Sequence, residues 1–427
     1  MTTDSKAAAT PTAGRATRWL VVALRIIVGA VFIFSGIVKA IDPWGMVYKL
    51  QEYLMVLNWS RLLPLATFGA FALPVMEFTL GIFALTGCYR RATPILLTLT
   101  MAVMLPLTLY IAITDNVTDC GCFGDAIVLS NWATFWKNVA LTAAIVFLLL
   151  KNRAVKPTYA PAVQWIVGLL SFAFAMAVAL VGYLQQPMLD FRPFKVGTQI
   201  VSEQSGGTDT QYDWIYAKDG EQRHFTIDSL PDEADGWEFV DRVPIVPVDR
   251  VTGQLAILDN IGDDITGEVL TADADQVLLL FPSMSDKSAA STFLFNEIYD
   301  YAIGHDIQVT ALTSAAEPAI DQWRDLSMAE YDIYQIDDSV LKQIARGDPA
   351  IVYLSRGTIA WKRTARSLNP AVIAAPDADI ARLGSSIATP ARFWQLTGLY
   401  AAAMLLLLLF RTYRARRKAA AAPTLNP

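Results

Sequence analysis

The residues with the clearest chemical potential are two cysteines, Cys120 and Cys122, in the segment DNVTDCGCFGDAIVLSNW at residues 115–132. Thiolates attack disulfides and bind metals, and their reactivity depends on a lowered pKa and on access to solvent. Gly121 stands between the two cysteines and supplies the backbone freedom that a bridge within so short a loop requires. Such a small bridge is expected to be strained, and strained exposed disulfides are the ones that exchange readily.

The sequence leaves two interpretations of this pair open, a redox-active dithiol and a structural disulfide that shapes the loop. A zinc-type metal site would require about four ligands, and the only histidines, His224 and His305, are distant in the sequence, so no metal site is predicted. Lys137 stands one helical turn into the next apolar run, from which its ammonium could face the loop and favour a thiolate. The third cysteine, Cys88, is apolar-flanked and is expected to be inert packing.

The elements that must position these residues are membrane helices. The chain has 427 residues, of which 54% are hydrophobic and 17% charged, and its mean hydropathy is +0.37. These values are typical of a membrane protein with a sizeable water-facing part. Six runs are long and apolar enough to cross a bilayer: 19–41, 62–88, 92–114, 132–150, 162–185 and 392–410. The first run lacks a small-residue cleavage site and is therefore expected to be a retained helix and not a signal peptide.

Basic residues at alternate ends of these runs predict the orientation of the chain, since cytoplasmic loops carry an excess of Lys and Arg. If all six runs cross, the basic clusters share one side: Arg15 and Arg18; Arg90 and Arg91; Lys151, Arg153 and Lys156; Arg411, Arg414, Arg416, Arg417 and Lys418. Both termini are then cytoplasmic. The cysteine loop and residues 186–391 face the opposite, periplasmic side of a bacterial inner membrane, where thiols can become disulfides.

Charge is distributed unevenly between the two parts of the chain. Residues 186–391 hold 33 of the 40 acidic residues and 15 of the 34 basic ones. An acidic water-facing part argues against a nucleic-acid partner. Membrane lipid and a periplasmic or membrane protein are the expected partners, and the oligomeric state is not predicted.

Two charged residues inside the runs form a further candidate site, because ionisable groups in a bilayer are costly and usually paired. From helical rise, Arg25 and Glu77 differ in depth by about 7 Å, within reach of two long side chains. We therefore predict an Arg25–Glu77 pair, which serves either to set helix register or as a proton or quinone site. Lys39 and Asp42 stand at the outer boundary and are expected to extend to water.

The water-facing part is predicted to be β-rich over 186–270 and α/β over 271–391. Alternating segments around Asp219-Gly220 predict a hairpin. The segments QVLLLF, IQVTALTSA and DPAIVYLSRGTIAWKRT alternate with two helical patterns as a βαβα unit followed by a hairpin. This arrangement resembles the thioredoxin fold, with Pro349 where that family carries a cis-proline. The expected Cys-x-x-Cys position reads PSMSDKS, and 186–391 contains no cysteine, so this domain cannot exchange disulfides.

The first four runs resemble the DoxX/MauE superfamily of four-helix membrane proteins. The matching stretches are LRIIVGAVFIFSGIVKAIDPWG, PVMEFTLGIFALTG, CGCFG and NWATFWKN. With DFRPFKVGTQI and the cysteine-free thioredoxin-like part, the whole chain resembles longer DoxX-type proteins of Bacteroidetes. The resemblance implies a role near disulfide formation, as in methylamine dehydrogenase maturation for MauE-type members, or beside membrane-bound oxidoreductases for DoxX-type members.

The predicted fold class is a membrane all-α bundle, with a DoxX/MauE-like four-helix core and two further spans, that carries an α/β thioredoxin-like domain and a small β-rich segment. Its predicted segments are a polar tail 1–18, the four-helix domain 19–150, a loop and fifth helix 151–185, the β-rich segment 186–270, the thioredoxin-like domain 271–391, a sixth helix 392–410 and a basic tail 411–427.

Two functions follow from these features. In the first, Cys120 and Cys122 cycle between dithiol and disulfide, and electrons pass to a partner thiol protein or to a membrane quinone. The sequence requires no cofactor, and a quinone is the one candidate. In the second, the chain is a non-enzymatic scaffold whose cysteine-free domain binds a periplasmic partner while the cysteine pair is a static bridge. The single cysteine pair weakens the first, since dedicated membrane oxidases usually relay electrons between two pairs.

Overall fold

A computed structural model describes residues 14–117, 120–201, 212–218, 221–225, 231, 237–244, 255–258, 264–284, 286–375, 378–384 and 388–420. The chain divides into two compact units. The first, the membrane unit, comprises residues 1–183, 187–189 and 387–427, and the second, the α/β unit, comprises 184–186 and 190–386. The predicted turn at Asp219-Gly220 lies outside the described residues.

The helices are α1 Arg15–Ile41, α2 Pro43–Val56, α3 Ala66–Thr86, α4 Ala92–Thr114, α5 Asn131–Leu150, α6 Gln164–Leu184, α7 Thr266–Val269, α8 Asp286–Ala289, α9 Thr292–Ile303, α10 Glu317–Ser327, α11 Asp338–Ile344, α12 Pro370–Ile373, α13 Ile380–Leu383 and α14 Pro390–Ala420. The strands are β1 Tyr212–Lys218, β2 Glu221–Phe225, β3 Glu238–Pro244, β4 Ile257–Leu258, β5 Gln276–Phe281, β6 Gln308–Thr313, β7 Asp332–Ile336, β8 Ala350–Ser355 and β9 Thr358–Thr364.

Within the described part of the chain, six helical stretches are long and apolar enough to cross a membrane, which confirms the six predicted runs. They are Arg15–Ile41, Ser60–Thr86, Ala92–Thr114, Asn131–Leu150, Pro161–Leu184 and Pro390–Phe410. Helices α1 and α3 occupy the centre of the membrane unit, because they contribute to both of its main apolar clusters. One cluster joins them to α4 and α5, and the other joins them to α6 and α14.

Small residues let α1 and α3 approach more closely than ordinary side chains would allow. A Cβ atom added at Gly36 would lie 2.4 Å from the backbone nitrogen of Phe78, and one at Gly29 would lie 2.9 Å from that of Leu85. Gly81 is similarly tight, since its Cβ would lie 2.6 Å from the nitrogen of Ile33. Glycine at such contacts is how membrane helices bring their backbones together where no water drives association.

Helix α2 and the short turn that follows it cover one end of the bundle. Asp42 caps α2 by accepting a hydrogen bond from the Gly45 amide at 2.9 Å. Met46 and Val47 are buried against Ala66 and Ala70 at the start of α3. The glycine contacts between α1 and α3 place the start of α3 beyond the last residue of α1. Helix α2 packs against this additional length of α3.

The α/β unit contains two sheets in its described part. A three-stranded antiparallel sheet has the order β2-β1-β3, and a six-stranded sheet has the order β4-β7-β6-β5-β8-β9. In the larger sheet β5, β6 and β7 are parallel, while β8 and β9 form an antiparallel hairpin beside β5. The predicted membrane bundle with an α/β domain is confirmed, and β7 and α11 are additions that the sequence pattern did not predict.

Strand β7 escaped prediction because its burial does not alternate in a simple way. Its segment DIYQI runs exposed, buried, half-buried, exposed and buried, as expected for a strand near a sheet edge. The central strand β5 is buried along its whole length, and its continuous apolar run QVLLLF was correspondingly easy to recognise. The Asp348–Pro349 peptide bond just before β8 is cis.

A buried ionic cluster ties the segment DFRPF to the larger sheet. The carboxylate of Asp190 accepts hydrogen bonds from Arg192 and, at 2.6 Å, from the ammonium of Lys362 on β9. Lys362 also donates to the carbonyl oxygens of Phe194 and Ile344 at 2.6 and 2.9 Å. Burial lowers the pKa of Lys362 to about 7, although Asp190 acts in the opposite direction. We interpret this cluster as a structural anchor for the start of the unit.

We predict that Gly36→Ala lowers the stability of the membrane unit by about 1–3 kcal/mol, because the added methyl group forces α1 away from α3. Gly398→Ala in α14 is the matched control, since a Cβ at that position would meet nothing within 4 Å beyond its own stretch of helix. Thermal unfolding in detergent measures both variants. Equal melting temperatures for the two would contradict the close-packing argument.

Candidate functional site

The cysteine loop is the segment between α4 and α5, and side chains at its base hold it in place. Asn131, the first residue of α5, donates hydrogen bonds of 2.9 Å to the Asp115 carboxylate and to the carbonyl oxygen of Val117. The Tyr53 hydroxyl on α2 donates to the carbonyl oxygen of Cys120. Gly121 has a φ of +59°, in the left-handed region that favours glycine, and it lies under the side chain of Lys49.

The two cysteines are free thiols that interact with each other. The backbone amide of Cys122 donates a hydrogen bond of 3.2 Å to the sulfur of Cys120. The Cys122 thiol also donates to that sulfur, and the two interactions lower the pKa of Cys120 to about 6 despite its burial. The same sulfur–sulfur contact, together with burial, raises the pKa of Cys122 well above its ordinary value. Cys120 is therefore the better nucleophile and Cys122 the more protected thiol.

Helix α5 contributes two further groups to the loop. Lys137 lies with its ammonium 4.2 Å from the centre of the Phe123 ring, and its charge lowers the pKa of Cys120. Thr134 is fully buried beside both cysteines, and its hydroxyl is among the groups that lower the pKa of Cys120. That hydroxyl can turn its proton toward the Cys120 sulfur, which would stabilise a thiolate there.

A buried ion pair lies directly beneath the loop. The ammonium of Lys39 is 2.8 and 2.9 Å from the two carboxylate oxygens of Glu77, and both residues are only 4% exposed. The Ser35 hydroxyl lies 2.8 Å from the Glu77 Oε2 atom and 2.7 Å from the carbonyl oxygen of Cys122. Because this hydroxyl has one proton and faces two acceptors, it can serve only one of them at a time.

A small cavity of about 40 Å³ connects the ion pair to the loop. A cavity needs roughly 10–15 Å³ of water-accessible space to hold a water molecule, so this one has room for water. Its polar lining consists of Ser35, Lys39, Glu77, Thr100, Lys137 and Asn138, and Cys122 lines it as well.

The predicted Arg25–Glu77 pair is wrong. Arg25 donates instead to the carbonyl oxygens of Ala84, Leu85 and Lys156 at 3.1, 2.9 and 3.2 Å, at the other end of the bundle. The glycine contacts of α1 on α3 place Glu77 level with residue 37, about 18 Å along the helix axis from Arg25. The expected depth difference between Arg25 and Glu77 was wrong because each depth was measured from the inner end of its own helix. Helix α1 extends to Arg15, which lies well beyond the inner end of α3.

The expectation that Lys39 extends to water is also wrong, since its side chain is buried on Glu77. The sequence contained a signal for the Lys39–Glu77 pair, because the small residues at Ser35 and Gly36 mark the face of α1 that meets α3.

Cys88 lies at the opposite end of the bundle from the loop, where it is fully buried and accepts a hydrogen bond of 3.2 Å from Thr86. Burial raises the pKa of its thiol.

The α/β unit places a serine where the thioredoxin resemblance would place a dithiol. Ser283 follows β5, and its hydroxyl donates a hydrogen bond of 2.6 Å to the carboxylate of Asp348, beside the cis bond to Pro349. The backbone amide of Ser283 donates to the same carboxylate at 3.3 Å. Burial raises the pKa of Asp348. The arrangement is a hydrogen-bonded clamp between two loops.

Among the described residues, no group of His, Cys, Asp and Glu side chains is placed to hold a metal.

We predict that Lys39→Met and Glu77→Gln each destabilise the protein by about 3–5 kcal/mol, because each leaves one buried charge unpaired. The double variant should recover most of the loss, since it removes both charges. Arg25→Met combined with Glu77→Gln is the control and should show additive losses. Chemical denaturation in detergent measures the two coupling energies, and a larger coupling for Arg25 would contradict the assigned pair.

Comparison with known protein families agrees with this architecture. Residues 17–151 match the family described as methylamine utilisation protein MauE, and residues 210–246 match a domain of unknown function, DUF8463. Comparisons with curated proteins and with solved structures gave no match. The MauE match covers α1 to α5 and includes the cysteine loop, Lys39 and Glu77. The chain is thus a membrane protein whose first four spans are similar to the MauE family.

Proposed function

We propose that this protein is a membrane-embedded thiol–disulfide exchange component in which Cys120 and Cys122 form the reacting pair. The observation that carries the proposal is the unequal environment of the two sulfurs. Cys120 receives hydrogen bonds from the Cys122 amide and thiol, and its pKa falls to about 6, so a large fraction is thiolate at neutral pH.

The exchange begins with attack of the Cys120 thiolate on the disulfide of a partner protein. A sulfur–sulfur bond forms between Cys120 and one partner sulfur, and the other partner sulfur leaves as a thiolate. Cys122 then loses its proton and attacks Cys120, which releases the second partner thiolate. The partner disulfide is reduced by two electrons, and the Cys120–Cys122 pair is oxidised to a disulfide. The same steps run in reverse when the partner arrives as a dithiol.

We favour a protein thiol as the exchange partner, because a thiolate such as that of Cys120 attacks disulfides directly. The cavity beside Cys122 has a volume of about 40 Å³, which is enough for water. Positive-inside charge supports a periplasmic position for the loop in a bacterial inner membrane, with both termini in the cytoplasm. The same rule assigns residues 186–391 to the periplasm, where partner proteins with disulfides occur.

A scaffold role for the α/β unit is the second candidate, and the Ser283–Asp348 clamp favours it. The strand order around β5 is β7-β6-β5-β8-β9, and at the end of β5 a serine and a carboxylate form a hydrogen bond where the sequence resemblance would place a dithiol. Without a thiolate the unit cannot exchange disulfides, so any contribution it makes is through binding. The two roles are compatible in one chain.

We predict that Cys122→Ser accumulates a mixed disulfide between Cys120 and a partner, because the thiol that resolves the intermediate is missing. Cys120→Ser is the matched control and should accumulate none, since its remaining thiol is mostly protonated. Non-reducing electrophoresis of membranes followed by mass spectrometry detects and identifies the adduct.

The redox potential of the pair decides between exchange and a static bridge. Titration of the purified protein in thiol buffers with a mass-tag reagent should give a value in the range of exchange catalysts, above about −300 mV. A potential well below that value, together with no trapped adduct, would assign the pair a structural role only.

We predict that alkylation of Cys120 becomes faster as the pH rises through about 6, because only the thiolate reacts and its pKa lies there. Cys122→Ala should move the midpoint upward, since it removes the thiol that donates to the Cys120 sulfur. Cys88 in the same molecule serves as the buried reference and should stay unmodified. Mass spectrometry of iodoacetamide-treated protein gives both rates, and a midpoint in the ordinary range of free cysteine would refute the assignment.

A further inference from the structure

We propose that Lys39 is a shared counter-ion for Glu77 and Cys122, so that Glu77 accepts the Cys122 proton while the ammonium stays charged. The inference rests on the proposed exchange function and names positioning residues for its second step. It explains how the more buried of the two thiols can become a nucleophile without leaving an unpaired charge inside the bundle.

The geometry places both anion positions around one ammonium. Lys39 holds both oxygens of Glu77 within 2.9 Å, and its charge also acts on the sulfur of Cys122. All three residues line the same cavity of about 40 Å³. Ser35 joins the two ends, because its hydroxyl reaches the Glu77 carboxylate and the Cys122 carbonyl oxygen.

Charge conservation makes this proton transfer less costly than release of a proton to a distant acceptor. Before the transfer, the ammonium of Lys39 faces the Glu77 carboxylate and a neutral thiol. Afterwards it faces the Cys122 thiolate and a neutral carboxyl group. The site holds one positive and one negative charge in both states, so no isolated ion is created in a medium where isolated ions are strongly disfavoured.

The transfer belongs to the resolution of the mixed disulfide. The Cys122 S–H bond breaks, and its proton passes to a Glu77 oxygen through a water molecule for which the cavity has room. The Cys122 thiolate then attacks the Cys120 sulfur, and the second partner sulfur leaves with the electron pair of the broken bond. The partner disulfide is the oxidant, and Glu77 later returns its proton to water.

Several charged or titratable groups surround the Cys122 sulfur, and the test must separate them. The loop contributes Cys120, α1 contributes Lys39, α3 contributes Glu77, and α5 contributes Lys137. Cys120 is removed in the test background. Lys137 is common to all variants compared, so differences between those variants report on Lys39 and Glu77.

The test measures the pH dependence of Cys122 alkylation in a Cys120→Ala background. Adding Glu77→Gln should lower the midpoint by at least about one pH unit, since Lys39 is then left with the sulfur as its anionic partner. Adding Lys39→Met to that variant should raise the midpoint again, to a value above that of the background protein, since the sulfur then lacks its Lys39 counter-ion. Arg25→Met, which removes a buried charge at the other end of the bundle, should leave the midpoint within about 0.3 unit.

An unchanged midpoint in Glu77→Gln, or an equal shift in Arg25→Met, would overturn the shared counter-ion. If Glu77→Gln alone does not fold, the double variant with Lys39→Met leaves no unpaired charge and carries the test. Its midpoint should then lie above that of the background protein. Folding is checked in every case by the resistance of Cys88 to the same reagent.

Infrared spectroscopy tests the proton acceptor itself. In protein whose Cys120 carries a mixed disulfide with a small aromatic thiol, time-resolved infrared spectra during resolution should show loss of the Cys122 S–H stretch together with a transient carboxylic acid C=O band, and Glu77→Gln should abolish that band. Loss of the S–H stretch without the band would overturn the role of Glu77. These readouts need no partner protein, so a failed trapping experiment with a positive result here would reject the exchange function and leave the charge arrangement intact.

Discussion

The close approach of α1 to α3 is the constraint on which the rest of the membrane unit depends. Gly29, Gly36 and Gly81 leave no room for a side chain between the two backbones. The register that results sets Lys39 on Glu77 and leaves Arg25 at the other end, bound to backbone carbonyl oxygens. A slip of one helical turn would separate the ion pair and leave two buried charges without partners, which a bilayer strongly disfavours.

The ion pair in turn connects the interior of the bundle to the cysteine loop. Ser35 stands one turn before Lys39 on α1 and reaches both Glu77 and the backbone of Cys122. Tyr53 and Asn131 also donate hydrogen bonds to the loop, to the carbonyl oxygens of Cys120 and Val117 respectively. Restraints from three helices fix the two sulfurs in unequal surroundings, and this inequality supports a directed exchange in which Cys120 attacks and Cys122 resolves.

The membrane unit and the α/β unit differ in how their charges are used. In the membrane unit, Lys39 and Glu77 lie beside two thiols and a cavity that admits water. In the α/β unit, Asp190, Arg192 and Lys362 are fully engaged with one another and with backbone oxygens, and Ser283 and Asp348 bind each other. The first arrangement leaves groups able to exchange a proton, whereas the second locks segments together. We therefore look for reactivity in the membrane unit and for binding in the α/β unit.

Sequence alone determined the elements that depend on local composition. Apolar length predicted six spans, the continuous run QVLLLF predicted the central strand, and the spacing of Cys120 and Cys122 singled out the loop. Tertiary structure alone decided which charges meet. Arg25 and Lys39 are both cations on α1, and only the register against α3 selects Lys39 as the partner of Glu77. That register depends on backbone contacts at glycines and on where each helix begins, which no pattern within one helix contains.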